Sequence, residues 1–230
     1  MDNKIIKLCE IKTNGLLGGK AYVLFKALKD KNKGVCTCGS RVSTQIKTVS
    51  EVCKILNLPC HIFMPNGDSE IRGVAETNGA KIHIVTPAYN TVLNKRALDY
   101  ANENDLLFIP LGMLNEYFIK IVEDFTFENK EKFLDKEKII IPIGGGCFFI
   151  GICRCLLSLG YKGEILGVMC GMDATKNINK YLILNEQIKI VKSEKQYKEK
   201  SKNVFGLNET YEAKCLDFLT DNAFLVSIAK

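Results

Sequence analysis

The feature that most constrains the fold is an alternation between short apolar runs rich in β-branched residues and longer segments of helical period. Such alternation is typical of β-α units around a mainly parallel sheet. It predicts strands over residues 5–9, 35–38, 61–64, 81–85, 106–110, 138–143, 164–169, 188–191 and 223–228. It predicts helices over residues 21–29, 43–56, 69–78, 91–102, 116–128, 148–159 and 209–220.

The spacing of these elements predicts an α/β fold of two lobes, each built on a mainly parallel sheet with flanking helices. The four strands between residues 35 and 110 are evenly spaced and predict a smaller lobe over residues 33–115. Residues 1–32 and 116–230 would then form a larger lobe. Loops that carry Lys20, Ser40 and Gly144 would face a cleft between the lobes, since ligand sites in open α/β sheets usually lie on such loops.

The composition is that of an ordinary globular protein, with 47% hydrophobic and 25% charged residues. No apolar run approaches the roughly 18 to 20 residues that cross a bilayer, and residues 1–4 have no signal-peptide layout. We therefore expect a cytoplasmic protein without a membrane partner. The formal charge of +6 comes partly from the basic segment 192–202, which we interpret as a solvated loop because it contains no recognised nucleic-acid motif.

The ten cysteines mostly lie inside apolar strand or helix patterns, where a free thiol behaves as a small hydrophobe. The pairs Cys36/Cys38 and Cys153/Cys155 lack the spacing of structural zinc sites. The two histidines, His61 and His83, fall within predicted strands. The sequence therefore predicts buried thiols and no metal centre.

Three glycine-containing segments stand where a loop or strand runs into a predicted helix, and a helix N-terminus can receive an anion there. The first is Gly18-Gly19-Lys20. A positive helix end favours the neutral amine of Lys20, which is the form that attacks a carbonyl to make a Schiff base. The alternative is that Lys20 is one of 32 basic residues and is simply solvated.

The other two segments offer polar groups at the start of predicted helices. Residues 39–45 carry hydroxyls, an amide and free N–H groups suited to a carboxylate, and the alternative is a simple helix cap by Ser43. The Gly144–Gly146 turn follows a buried-type strand and resembles a phosphate cradle. It is not a Walker loop, and the dinucleotide pattern fails because Phe149 occupies the third glycine position.

On these motifs the chain resembles the tryptophan-synthase-β-like, or fold type II, pyridoxal-phosphate enzymes, most closely the branch of aminocyclopropane-carboxylate deaminase and D-cysteine desulfhydrase. The resemblance implies that pyridoxal 5′-phosphate forms a Schiff base with Lys20. It implies further cofactor contacts from Arg41, Gly144, Gly145, Gly146, Cys147 and Ser227, with Ser227 facing the pyridine nitrogen. It implies a substrate-carboxylate pocket built by Ser40, Ser43, Thr44 and Gln45.

The resemblance also implies a homodimeric lyase, deaminase or β-replacement enzyme of amino acid metabolism that acts on a small amino acid or amine. Arg41 and Val42 replace the usual Asn and His of the branch, Gly19 replaces the usual Asn before the lysine, and Phe148 replaces a phosphate-binding hydroxyl residue. These departures keep open a catalytically degenerate binding protein. The small size and basic balance keep open an enzyme of modified nucleotide or DNA-linked amine metabolism.

Overall fold

The computed structural model describes residues 2–86, 89–171, 173–195, 199–202 and 205–228. Within these ranges, strands and helices alternate along the chain as the pattern predicts. The strands are β1 (Ile5–Lys7), β2 (Lys12–Thr13), β3 (Leu16–Leu17), β4 (Val35–Cys38), β5 (Cys60–Pro65), β6 (Lys81–Val85), β7 (Leu107–Ile109), β8 (Lys138–Ile143), β9 (Glu164–Met169), β10 (Ile188–Lys192) and β11 (Ala223–Ser227). The helices are α1 (Gly19–Leu28), α2 (Thr44–Ile55), α3 (Glu70–Thr77), α4 (Asn90–Glu103), α5 (Glu116–Glu128), α6 (Cys147–Ser158) and α7 (Thr175–Tyr181).

By their internal contacts the residues form two compact units. Unit 1 comprises Met1–Ile11, Leu17–Gly19 and Leu114–Lys230, and unit 2 comprises Lys12–Leu16 and Lys20–Met113. The lobe boundaries and the cleft that the sequence suggests stay predictions.

Unit 1 is built on a five-stranded parallel sheet in the order β1-β11-β8-β9-β10. Its central strand β8 reads Lys-Ile-Ile-Ile-Pro-Ile and is buried from Ile139 onward. A continuous apolar run of this kind fits a parallel strand, because both faces of a parallel sheet are covered. Helices α5 and α6 pack against each other, and α6 contacts β8.

The carboxyl edge of this sheet is the part that bears on function. The ladder between β11 and β8 joins Ala223–Leu225 to Lys138–Ile140. Two residues further along β8 is Pro142, which has no N–H to donate to a ladder. Beyond that point β8 continues into the glycine turn, and β11 ends at Ser227.

Unit 2 is built on a four-stranded parallel sheet in the order β6-β5-β4-β7. Helix α4 packs on one face through an apolar cluster that joins strand and helix residues, namely Cys36, Cys38, Phe63, Leu93, Ala97 and Ala101. Because side chains alternate along a strand, Val35 and Thr37 point to the opposite face. Helix α2 contacts β4 and β5, and α3 packs beside α2.

The predicted α/β class with parallel sheets is therefore confirmed, while several elements differ from the sequence prediction, among them the short strands β2 and β3, which were not predicted. The first strand stops at Lys7, and Leu8–Glu10 forms a 3-10 turn. Residues 209–220 form no α-helix, since the observed element there is the 3-10 segment Glu212–Phe218. Helix α7 was not predicted, because Thr-Lys-Asn-Ile-Asn-Lys-Tyr offers a single buried apolar residue, Ile178.

Two predictions on composition can also be compared with the structure. All ten cysteines are buried and unpaired by disulfides, which confirms the prediction of buried thiols. None of the helices in the described ranges combines the length and the apolar character that crossing a bilayer requires.

The packing of α5 on α6 yields a stability prediction. A Cβ at Gly151 would lie 2.6 Å from Val122 Cβ and 3.0 Å from the carbonyl oxygen of Ile119, so Gly151→Ala should lower the free energy of unfolding by about 1–3 kcal/mol. The matched control is Gly73→Ala in α3, where a Cβ meets nothing within 4 Å and better helix propensity should add about 0.5–1 kcal/mol. Urea unfolding of both variants measures the difference, and equal effects would contradict it.

Candidate functional site

The start of α1 is held by a backbone hydrogen bond at Gly19, a position crowded by two aromatic rings. The N–H of Gly19 donates to the carbonyl oxygen of Ile228 at 2.9 Å. A Cβ at Gly19 would lie 3.0 Å from Phe148 Cε1 and 3.2 Å from Phe125 Cε1. The preceding Gly18 has φ of +102°, a left-handed conformation that glycine adopts without strain. The residue that follows this fixed pair in the chain is Lys20.

The amine of Lys20 is held by a hydroxyl within unit 2. Lys20 Nζ donates to Thr44 Oγ1 at 2.6 Å, and both side chains are half-buried. Thr44 is the first residue of α2, so this contact places the amine beside the start of that helix. The structure thus brings together two residues, Lys20 and Thr44, that the sequence places in separate motifs.

Ser43 occupies the N-cap position of α2, but its side chain makes no cap hydrogen bond. The hydroxyl instead packs on Gly39, where a Cβ would lie 2.9 Å from Ser43 Oγ. The backbone N–H of Ser43 donates to the carbonyl oxygen of Ser40 at 3.0 Å. Side-chain capping by Ser43, the simpler interpretation of this loop, is therefore wrong in the structure, because the serine hydroxyl packs against the tight loop.

Gln45 is the most constrained member of the loop. Its amide nitrogen donates to Thr37 Oγ1 at 2.9 Å and to the carbonyl oxygen of Pro110 at 3.0 Å. Its amide oxygen accepts from the N–H of Gly112 at 2.8 Å. With only 4% of its surface exposed, Gln45 ties the start of α2 to the ends of β4 and β7. Its predicted contact with substrate stays a prediction, and the observed contacts give it a positioning role.

Arg41 lies on the exposed side of the same loop. Its carbonyl oxygen accepts from Ser69 Oγ at 2.6 Å, and its guanidinium lies against Gly67, where a Cβ would come within 2.3 Å of Arg41 Nη1. These contacts join the loop to the segment that leads into α3. The predicted cofactor contact of Arg41 stays a prediction.

In unit 1 the glycine turn Gly144–Gly146 links the buried strand β8 to the apolar helix α6. Gly146 is the N-cap residue with φ of +101°, and its carbonyl oxygen accepts from the N–H of Ile150 at 2.9 Å. The first N–H groups of a helix have no intrahelical acceptor, so the start of α6 can receive an anion. Burial raises the pKa of Cys147, the first residue of α6, to about 12, so its thiol adds no negative charge there.

Ser227 ends strand β11 and is completely buried. Among the described residues its hydroxyl has no hydrogen-bond partner. A buried hydroxyl without a partner costs about 1–3 kcal/mol, and such a group is often explained by a ligand or water. Ser227 is followed by Ile228, whose carbonyl oxygen holds Gly19.

The sequence analysis did not identify three residues near the carboxyl edge of the unit 1 sheet. The ring of Tyr211 lies against Gly144, where a Cβ would be 3.2 Å from Tyr211 Cε1. Glu212 is 3% exposed and accepts from the N–H of Ile228 through Oε1 at 3.3 Å. Lys214 is completely buried, donates to the carbonyl oxygen of Cys170 at 3.0 Å, and has its pKa lowered by burial.

The predicted site residues therefore form two sets. Unit 2 gathers Lys20, Ser40, Arg41, Ser43, Thr44 and Gln45. Unit 1 gathers Gly144, Gly145, Gly146, Cys147 and Ser227 at the carboxyl edge of its sheet. The ligand roles of both sets stay predictions.

Comparison with known proteins identifies what this arrangement is similar to. A family model described as pyridoxal-phosphate dependent enzyme matches residues 13–214. An ACC deaminase homologue superposes with a TM-score of 0.78 at 14% identity, over 96% of this chain and 82% of that chain. A pyridoxal 5′-phosphate-dependent aspartate racemase superposes with a TM-score of 0.70 at 13% identity, over 99% of this chain and 87% of that one.

Maize serine racemase superposes with a TM-score of 0.54 at 18% identity, over 65% of this chain. This chain spans 46% of the length of that protein. No curated protein matches in sequence. At these identities the solved structures show a shared fold, which confirms the fold type II architecture implied by the resemblance.

The contrast between the two serines that precede α2 and α3 can be tested by unfolding. Ser69 is the N-cap of α3, accepts from the N–H of Arg72 at 3.2 Å and donates to Arg41, so Ser69→Ala should cost about 1–2 kcal/mol. Ser43→Ala, which removes no cap hydrogen bond, should change stability by less than about 0.5 kcal/mol. Chemical denaturation compares the two, and a larger loss for Ser43→Ala would refute this contrast.

Proposed function

Because the chain belongs to the family of pyridoxal-phosphate dependent enzymes, we propose that it is a lyase, deaminase or β-replacement enzyme acting on a small amino acid or amine through Lys20. The observation that carries the proposal is the buried hydroxyl of Ser227, which has no hydrogen-bond partner among the described residues. Ser227 precedes Ile228, which binds the backbone of Gly19, and Gly19 directly precedes Lys20. Ser227, whose hydroxyl has no partner among the described residues, is therefore linked to Lys20 through Ile228 and Gly19.

The residues present fit the cofactor of the family. The hydroxyl of Ser227 is suited to the pyridine nitrogen, because it can donate or accept and has no partner among the described residues. The N–H groups of Gly145, Gly146 and Cys147 at the start of α6 are suited to the phosphate, since a helix N-terminus favours an anion. The amine of Lys20 would hold the cofactor covalently.

When bound, the cofactor supplies an electron sink for charge that develops at the substrate α-carbon. In our proposal Lys20 then removes or returns the proton at that carbon. Thr44 Oγ1, which accepts from Lys20 at 2.6 Å, holds the amine in place for this transfer. Release of Lys20 from the cofactor would leave the amine with a hydroxyl partner already at hand.

The substrate carboxylate is proposed to bind at the start of α2. The hydroxyls of Ser40 and Ser43 and backbone N–H groups at the start of α2 would receive it, while Gln45 holds the loop. A helix N-terminus contributes about 0.3–1 kcal/mol to binding an anion, and each charge-assisted hydrogen bond about 1.5–3 kcal/mol.

Within the family we propose the aminocyclopropane-carboxylate deaminase branch, on the register of residues 40–45 and the likeness to the ACC deaminase homologue. The solved structures of similar fold also include racemases and an ammonia lyase, so the branch is supported by the loop sequence more than by the fold. The homodimer and the cytoplasmic location stay predictions.

The lysine assignment can be tested by trapping the covalent adduct. Borohydride reduction of the protein with pyridoxal phosphate, followed by peptide mapping, should label Lys20. Lys20→Ala should abolish the adduct and leave the fold intact, because a half-buried lysine in the first turn of α1 contributes little to packing and alanine is a good helix former. Lys214→Met is the matched control, since Lys214 is a second lysine in a buried setting. Labelling of Lys214 in place of Lys20 would overturn the assignment.

The same sample separates an active enzyme from a degenerate one. An absorbance band near the visible edge after addition of pyridoxal phosphate supports cofactor chemistry. A protein that is folded but shows neither the band nor a trapped adduct would support the degenerate binding protein.

The role of Ser227 predicts opposite effects on folding and on binding. Ser227→Ala should leave the stability of the cofactor-free protein unchanged or raise it, because within the described part of the chain the hydroxyl makes no hydrogen bond that is lost. The same change should weaken cofactor binding about 2- to 10-fold, which corresponds to one hydrogen bond. Thermal melting and fluorescence titration give the two values, and an unchanged affinity would remove Ser227 from the site.

A further inference from the structure

A cluster of nitrogen and oxygen donors lies in unit 2 apart from every residue of the proposed site. His61 lies on β5 and His83 on the neighbouring edge strand β6. His61 Nδ1 and His83 Nε2 are 3.1 Å apart, and the hydroxyl of Tyr100 on α4 is also 3.1 Å from His61 Nδ1. The chain contains two histidines, and they contact each other.

The two hydrogen-bond contacts of this cluster meet at one atom. A neutral imidazole nitrogen carries either one proton or one lone pair. His61 Nδ1 has two neighbours at hydrogen-bond distance, His83 Nε2 and the Tyr100 hydroxyl. Two imidazole nitrogens and a phenol oxygen, each able to present a lone pair, therefore lie close together on three different elements.

We propose that His61 Nδ1 and His83 Nε2, with the hydroxyl of Tyr100 beside them, form a site for a divalent transition-metal ion such as zinc. Among the described residues, no group of three His, Cys, Asp or Glu side chains is placed to hold a metal. This site differs from such groups because its third donor is a phenol. The remaining positions of the ion would be taken by water.

The distances fit such an ion. Zinc binds imidazole nitrogen at roughly 2.0–2.1 Å, so two nitrogens of a tetrahedral zinc are roughly 3.3 Å apart. The observed separation of 3.1 Å is close to that value. The two rings are stacked with an interplanar angle of 22°, and His83 stacks on Phe63, which holds its orientation.

The surroundings keep both imidazoles available. Both imidazole rings are half-buried, so solvent and ions can reach them. The thiol of Cys36 on the adjacent strand is bonded to the carbonyl oxygen of Ala97, and burial raises its pKa to about 12. It therefore offers no thiolate. The positive charge of Lys81 repels a cation at this site.

A bound ion would join β5, β6 and α4 at a single point. Strand β6 is the edge of its sheet and pairs only with β5 in the observed order. Metal binding to the folded state alone raises stability with metal concentration. Zinc should therefore raise the melting temperature of the full chain.

The test is calorimetric titration of the full-length protein with zinc chloride in a buffer free of phosphate and thiols. We expect one equivalent of zinc to bind to the parent protein. His61→Gln and His83→Gln, which keep a polar side chain at half-exposed positions, should each weaken binding at least about tenfold. Tyr100→Phe should give a smaller loss. Lys81→Gln should tighten binding about twofold to fivefold, because it removes a nearby positive charge.

Two outcomes would overturn the proposal. One is the absence of saturable zinc uptake by the parent protein. The other is equal uptake by the parent and by both histidine variants, which would assign the zinc to thiols. Melting temperatures without metal show that each variant is folded, and X-ray absorption of the zinc complex should show imidazole nitrogen ligands in the parent protein. This test does not depend on the pyridoxal-phosphate chemistry.

Discussion

The candidate site depends first on the close approach of Gly19 to two aromatic rings. The rings of Phe148 and Phe125 crowd position 19, and the N–H of Gly19 is bound to the carbonyl oxygen of Ile228. Two departures from the family pattern therefore lie in contact with each other. A side chain at position 19 would require the ring of Phe148 to shift, so glycine at 19 and an aromatic ring at 148 are compatible with each other. With no hydroxyl at position 148, a phosphate would depend on the backbone N–H groups of α6.

Apolar periodicity predicted most of the fold because nearly every strand and helix is buried on one or both faces. Strand β8, with its run of isoleucines, illustrates the strongest signal. The failures fall where periodicity is weak or ambiguous. Helix α7 is mostly polar, and the segment Glu212–Phe218 has helical spacing but folds as a 3-10 segment packed on β8 and β11. Spacing alone does not distinguish these two helix types over so short a length.

The site was predicted less completely than the fold, because the sequence does not show which charged and polar side chains are buried. Glu212 and Lys214 are both buried in unit 1, although charged residues are seldom fully buried, and the sequence analysis assigned neither of them to the site. A segment with Glu212 and Lys214 between apolar residues is a signal that sequence analysis could use. In the loop after β4, by contrast, the sequence analysis assigned to the site a residue that the structure shows in internal hydrogen bonds. Gln45 was predicted as a ligand, and its three internal hydrogen bonds became visible only with the partners in place.

The hydroxyl of Ser227 also bears on whether the chain has kept its chemistry. Among the described residues this hydroxyl is buried without a partner, which costs about 1–3 kcal/mol, and alanine would remove that cost with almost no change of volume. Domains with a total stability of about 5–15 kcal/mol gain substantially from such a change. A ligand or a water that completes the hydrogen bond would explain a serine at this position. The proposed enzyme supplies such a ligand in the pyridine nitrogen of its cofactor, whereas a protein that kept the fold without the cofactor does not.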